Sequence, residues 1–528
     1  MPVMLSMDHP ENALKSGVED VVANENEPPK GSIVKPVRFP LHGKKWTYRG
    51  EGNANVVIAL PQERKVVRLR KSNAAGIYSP GESATFFLEE NFYLKVMIPL
   101  LGACYVKPPI IVSIDGFEIL EIEAQLAHQR PGMFEFFRRH KTIRMSDAAA
   151  LYMDFTLLPF SLSNESTRSQ RFPTYCVEIK PKQGWVPKAD RQLHKCIFCL
   201  HQYLKVMTGK VESLSRYCPL DLFSGNYLRM KKALCALLET PQNNLQIFQD
   251  GNIVYSQEVN GSLLPILKSW FGGPTNVTES KKLLDKFYFV IIEALLRDMT
   301  SIEGTYEVIG KGMPSCDKFL EGKNGCRGVK MSLDTLCIEP SLSSEEGSVD
   351  EDVDLSVERI PNGLLRTAKE VAVQALNMGK EYSCNWEDDD LLSDNCVLQR
   401  ILNVQKMDAV GANGTYKAYH QEESLVGASA NFSFFSSLMD SACMLSPIHR
   451  YLLAATAKDC SIMLAFQEDY DGRCKPSLKQ HILQCPDGQR FIFNVGVIDL
   501  EPKPISCIEK HARRDFDVYN AYVNWHLC

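Results

Sequence analysis

The chain has 528 residues, long enough for two or more domains or for one large two-lobed enzyme. Its hydrophobic fraction of 45% and aromatic fraction of 9% are those of a globular protein with a buried core, not of a disordered or fibrous chain. A net charge of −5 excludes a globally basic nucleic-acid binder and leaves room for a local basic pocket.

In chain order, the opening MPVMLSMDHPENALKSG lacks an apolar h-region, and no apolar run long enough to span a bilayer follows. A cytoplasmic or nuclear protein is expected, and with it seventeen reduced cysteines. Residues 1–35 are polar, acidic and punctuated by Pro and Gly, and read as a disordered tail. Asn55–Leu60 and Lys65–Leu69 read as strands joined by the tight turn Pro-Gln-Glu-Arg. A helix from about Ser83 to Leu101 and a strand-like stretch from Val106 to Leu120 complete a small α+β unit over 36–160. Helices are expected near 190–207, 226–238 and 280–299. Cys196 and Cys199 form a C-x-x-C that, between Lys195 and His201, reads as one face of the first of these; the other reading is a metal or redox site. Residues 303–360, Gly- and Ser-rich and ending in an acidic run, read as a mobile insertion. A helix at 448–457 and strands at 461–467 and 490–500 close the chain.

Those last two strands carry the sharpest expectation. Paired antiparallel, they bring Asp459, just before the first, beside Asp499, at the end of the second. Two such carboxylates suit magnesium, although each aspartate could equally cap a turn. Tyr48-Arg-Gly-Glu-Gly-Asn-Ala-Asn55 offers a glycine turn for phosphate, or an ordinary hairpin. Arg68, among apolar strand residues, calls for an anion partner. Strand alternation puts Glu178, Lys180 and Lys182 on one face, fit for a polyanion or for a solvated edge. His201 and Lys205 share a helix face, and Asn243 and Asn244 are phosphate-contacting amides or turn formers.

Taken in order, YRGEGNAN at 48–55, VVRL at 66–69, EIKPK at 178–182, RYCPLDLFSG at 216–225, PQNNL at 241–245, ATAKDCSIM at 455–463 and IDLEPKP at 498–504 resemble the inositol-pentakisphosphate 2-kinase family. The resemblance spans roughly 45–300 and 395–525. It implies a two-lobed α+β fold distantly like that of protein kinases, with ATP in the cleft, an N-lobe over 36–160 and a C-lobe over 161–528. It implies phosphorylation of the 2-hydroxyl of inositol 1,3,4,5,6-pentakisphosphate to the hexakisphosphate by a monomer using ATP and Mg2+. Gly50, Glu51, Gly52 and Asn53 would cover the phosphates, Arg68 and Glu178 would serve the nucleotide side, and Met153 and Asp154 would form the hinge. Lys180, Lys182, His201, Lys205, Asn243, Asn244 and Lys503 would hold the substrate. Asp459 would be general base and metal contact, and Asp499 the other magnesium carboxylate.

Three positions depart from the family pattern: Gln246, Cys507 and His511 stand where phosphate ligands are expected, with Arg513 or Arg514 as replacements. The plant-type zinc site needs a histidine, a C-x-x-C and a second histidine; here Lys417 takes the first place and no C-x-x-C follows, so no zinc is expected. A non-catalytic inositol-polyphosphate binder on the same fold is the alternative, and the presence of both aspartates counts against it. The missing His-Arg-Asp and Asp-Phe-Gly signatures count strongly against a protein kinase.

Overall fold

A computed structural model describes residues 36–51, 55–73, 82–129, 141–143, 148–163, 172–259, 261–272, 277–299, 364–378, 384, 391–423, 445–470 and 476–527. The expected tail and acidic insertion, and with them Gly52 and Asn53, lie outside these residues.

Alternating apolar residues build the first sheet. In β3 (Asn55–Leu60), Val56, Ile58 and Leu60 point inward, and Pro61–Arg64 turns the chain into β4 (Lys65–Asn73). With β1 (Val37–Arg38), β2 (Thr47–Glu51), β5 (Ile110–Ser113), β6 (Lys141–Ile143) and β7 (Ala149–Met153), they form a sheet of order β1-β5-β7-β4-β3-β2, with β6 on β4. All its pairs are antiparallel except β1 with β5. Helix α1 (Glu82–Phe92) continues through a π-turn (Tyr93–Met97) into a short helix ending at Leu101, where the single helix was expected. The stretch 106–120 divides instead. After Pro108 and Pro109 it is strand only in β5, because the Asp115 carboxylate accepts the Phe117 N–H at 2.9 Å and opens α2 (Gly116–Gln129).

The second sheet runs β10-β9-β8-β11-β13-β12 and is antiparallel throughout. Its strands are β8 (Tyr175–Ile179), β9 (Leu245–Gln249), β10 (Asn252–Tyr255), β11 (Ser461–Glu468), β12 (Ile482–Gln484) and β13 (Arg490–Ile498). Central strand β11 is buried on both faces: Ile462, Leu464 and Phe466 enter the main core, while Met463 and Ala465 meet Phe155, Leu158 and Leu162. Gly496 is required beside them, since a Cβ there would come within 2.1 Å of the Phe155 ring.

Helices cover the main-core face: α3 (Ile197–Met207), α4 (Tyr227–Glu239), α5 (Leu263–Phe271), α6 (Val277–Leu296), α7 (Leu364–Met378), α8 (Val397–Gln405), α9 (Gly411–Glu423), α10 (Pro447–Asp459) and α11 (Cys507–Leu527). The helix expected near 190–207 is broken. A 3-10 turn (Lys188–Leu193) ends at His194 with φ of 52°, and α3 begins only after Cys196. Helices and two sheets thus give a mixed α+β fold.

Candidate active site

Three chain segments meet where β8, β11 and β13 reach the same end of their sheet. Ser461 pairs with Ile498, and Ile462 with both Val497 and, on the other side, Ile179. This register sets Asp499, Ser461 and Lys180 side by side at the strand ends, and α10 delivers Asp459 on its last turn. The antiparallel pairing expected from sequence order is therefore present. Lys182 and Asp499 hold φ of 60° and 61°, a left-handed backbone that side chains other than glycine adopt only when the surroundings impose it.

Each aspartate carries two cations. Lys503 Nζ donates to Asp459 Oδ2 at 2.7 Å and Lys182 Nζ to Oδ1 at 3.4 Å. Burial pushes the Asp459 pKa up, but Lys182 and Lys503 outweigh it and hold this carboxyl well below the usual range. Lys180 lies 3.9 Å from Asp499, and Arg68 reaches it from β4 at 3.8 Å. Ser461 Oγ stands 2.8 Å from Glu178 Oε1 and 3.0 Å from Asp499 Oδ2. One hydroxyl has one proton, so it satisfies a single carboxylate at a time. Burial first, and then the Asp499 charge, raise the Glu178 pKa. The expected shared face of Glu178, Lys180 and Lys182 is not a strand face, because β8 ends at Ile179 and the lysines leave on a turn.

That turn is held from outside. The amide of Gln405, on α8 and fully buried, accepts the Gly184 N–H at 2.8 Å and donates to the carbonyls of Lys182 at 2.9 Å and Ala457 at 3.1 Å. It joins the lysine turn to the helix end that carries Asp459.

A basic wing extends along α3. Burial lowers the His201 pKa to about 3, helped by Arg514, Lys205, Lys210 and Lys182, so the ring is neutral. Lys205 Nζ donates to Gln242 Oε1 at 3.1 Å. The Lys180 N–H donates to the Asn244 carbonyl at 2.9 Å, yet the side-chain Oδ1 and Nδ2 of Asn244, which is 1% exposed, find no partner among the described residues. A buried amide in that state fits a ligand-contacting role. Asn243 is exposed. Gln246 sits opposite Glu178 on β9, Cys507 is buried, and His511 Nδ1 lies 2.9 Å from the Tyr451 hydroxyl. Burial, with Arg514, Lys458 and Lys503 nearby, holds His511 neutral. Arg514 lies near His201 and pairs with Asp515 at 3.6 Å, and Arg513 pairs along the same helix with Asp517, also at 3.6 Å.

On the first sheet, Gly50 sits at a β2 bulge opposite Val57, and Glu51 is bridged by Lys71 at 2.8 Å. Arg68 stacks over Tyr152 at 4.8 Å and hydrogen-bonds Glu501. Met153 ends β7. Asp154, expected at the hinge, is committed to the fold: its N–H donates to Arg64 O, its carbonyl accepts from Leu157, and its carboxylate takes Arg49 and Thr156. Sequence reading missed Glu501, Lys210, Arg49 and Gln405. Glu501 lies inside the IDLEPKP segment and Arg49 inside YRGEGNAN; Lys210 and Gln405 reach the site only through tertiary contacts.

The sequence model of the family described as inositol-pentakisphosphate 2-kinase matches residues 48–517. The chain belongs to this family. It is 27% identical over 520 residues to the inositol-pentakisphosphate 2-kinase of Danio rerio, covering 90% of this chain and 93% of that one. The Arabidopsis thaliana enzyme of the same name is 25% identical over 528 residues, with the same shares covered. That of Drosophila melanogaster is 30% identical over 320 residues, 43% of this chain and 51% of its own.

Proposed function

We propose that the chain transfers the γ-phosphate of ATP to the 2-hydroxyl of inositol 1,3,4,5,6-pentakisphosphate, giving the hexakisphosphate. The observation that carries this reading is the convergence of Lys180, Lys182 and Lys503 on Asp459 and Asp499 at one strand-end cluster. A substrate with five phosphates needs several cations around one hydroxyl, and phosphoryl transfer needs positioning and charge neutralisation more than covalent help.

In this reading ATP lies in a cleft between the two sheets, Arg68, Gly50 and Glu51 meet its phosphates, and the lysines and Asn244 meet those of the inositol. Asp459 orients the 2-hydroxyl and takes its proton. Paired with two lysines it is a weak base. An incoming polyphosphate competes for Lys182 and Lys503, so Asp459 gains basicity as substrate arrives. The carboxylates of Asp459 and Asp499 are hard oxygen donors that fit Mg2+, and the Ser461 hydroxyl, with one proton for Glu178 and Asp499, leaves the other carboxylate to Lys180, Arg68 or an ion. Bound there, the ion would neutralise charge on the transferring phosphate. Nothing favours the non-catalytic alternative. Purified protein with Mg-ATP should convert the pentakisphosphate to the hexakisphosphate, followed by ion-exchange chromatography, and Asp459→Ala should not; activity surviving that substitution overturns the assignment.

A further inference from the structure

Two elements carry the outer part of the basic wing: α3 holds Lys205, and the turn Pro241–Asn244, between α4 and β9, holds Asn244. One side chain joins them. Gln242, buried in that turn, accepts from Lys205 Nζ on its Oε1 at 3.1 Å and donates from Nε2 to Gln202 Oε1 at 2.8 Å. Gln202 stands one turn before Lys205 on α3, so the Gln242 amide spans a single helical turn and is held at both ends. The direction of these bonds is fixed. An ammonium only donates, so the Gln242 oxygen must face it and the NH2 must face Gln202. Gln202 Oε1 also accepts the Ser215 N–H at 3.3 Å, and the Ser215 hydroxyl accepts from Thr240 Oγ1 at 2.7 Å, two residues before Gln242.

The backbone of Gln242 is as constrained as its side chain. Its φ of 45° is left-handed, a conformation that costs a residue with a Cβ and persists only where the surroundings impose it. Glycine would relieve that strain and lose both side-chain bonds. The same turn is closed by the Asn244 N–H on the Pro241 carbonyl at 2.8 Å, and the Asn244 carbonyl takes the Lys180 N–H. Gln242 therefore ties Lys205 to the turn that carries the partnerless Asn244 amide and braces Lys180.

We propose that Gln242 is a positioning residue for the substrate: it fixes where the Lys205 ammonium stands relative to Asn244, and so sets the grip on an inositol polyphosphate. A neutral amide suits this task. It orients the ammonium without cancelling its charge, whereas a carboxylate would compete with an arriving phosphate. The inference deepens the kinase reading and rests on it for the identity of the ligand. Gln242 acts through Lys205, not on the reacting atoms.

Gln242→Glu keeps an acceptor for Lys205, and Gln202 can turn its amide to face the second oxygen, so this variant should fold with a carboxylate on the ammonium. It should raise KM for the pentakisphosphate about tenfold or more, the worth of one charge-assisted contact, and leave KM for ATP unchanged. Binding of inositol hexakisphosphate without nucleotide, measured by calorimetry, should weaken by the same factor. Gln242→Met removes both bonds and should also weaken that binding. Combined with Lys205→Met, it should cost no more than Lys205→Met alone, as for a residue that acts only through Lys205. Should the Gln242 variants not fold, Gln202→Met, which cuts the far bond alone, carries the same cycle. Unchanged binding in the variants, or losses that add in the double variant, overturns the proposal and leaves the kinase reading standing. Wild type that binds the hexakisphosphate but transfers no phosphate, with the expected losses in the variants, overturns the kinase reading and leaves Gln242 in its role. Wild type that does not bind the hexakisphosphate overturns both.

Discussion

The first sheet and the strand-end site both bring cations inside the protein, but they neutralise them differently. On the first sheet three cations each have their own acid: Arg49 with Asp154 at 2.6 Å, Arg70 with Glu89 at 2.6 Å, Lys71 with Glu51 at 2.8 Å. At the site two lysines share Asp459, and Arg68 and Lys180 share Asp499. Along α3, the four charges acting most on His201 are all cations. One-to-one pairs serve stability; shared and surplus cations leave capacity for an anion that arrives later.

Substitutions should separate the two behaviours. The largest effect falls on Asp459→Asn, which should lower kcat by about a thousandfold, within the range of lost acid–base catalysis, without lowering Tm. Rapid turnover by this variant would remove Asp459 from the chemistry. Lys182→Met should cost kcat/KM about 10- to 100-fold, the worth of one charge-assisted contact, while thermal stability is kept. A fall in Tm with unchanged kinetics would make Lys182 a structural ion pair like those of the first sheet. Arg70→Leu should do the reverse, costing about 1–3 kcal/mol in denaturant unfolding by leaving the buried Glu89 unpaired, with kcat retained. The smallest effect concerns acid. His201 has a folded pKa of about 3, below its unfolded value, so its contribution to stability is present above about pH 6.5 and is lost as pH falls from there. His201→Gln should flatten that acid limb in pH-dependent melts; an unchanged slope would show that His201 is already solvated.

Much of this was legible because it is local. Strands β3 and β4 follow from alternation and turn residues, β11 and β13 from near-continuous apolar runs, and Asp459 and Asp499 flank the same paired end because neighbouring strands pair. Local reading failed where a residue's partner is distant. Cys384 Sγ stands 3.6 Å from Cys218 Sγ across 166 positions, a proximity that no local spacing reports. Arg49 reaches the Gly251 carbonyl and Asp154 across 202 and 105 positions, and no spacing reports that. The helix at 190–207 was overextended because nothing in its periodicity marks the left-handed turn at His194.

Gln405 touches no reactant, yet its place tolerates little substitution. Two carbonyls and one N–H face it in a pocket closed to water, so the occupant must give two hydrogens and accept one at that reach. Glutamate has no hydrogens to give when ionised, leucine neither gives nor accepts, and asparagine is a methylene short. A primary amide of this length meets all three demands, so a helix remote from the chemistry fixes how far Lys182 stands from Asp459.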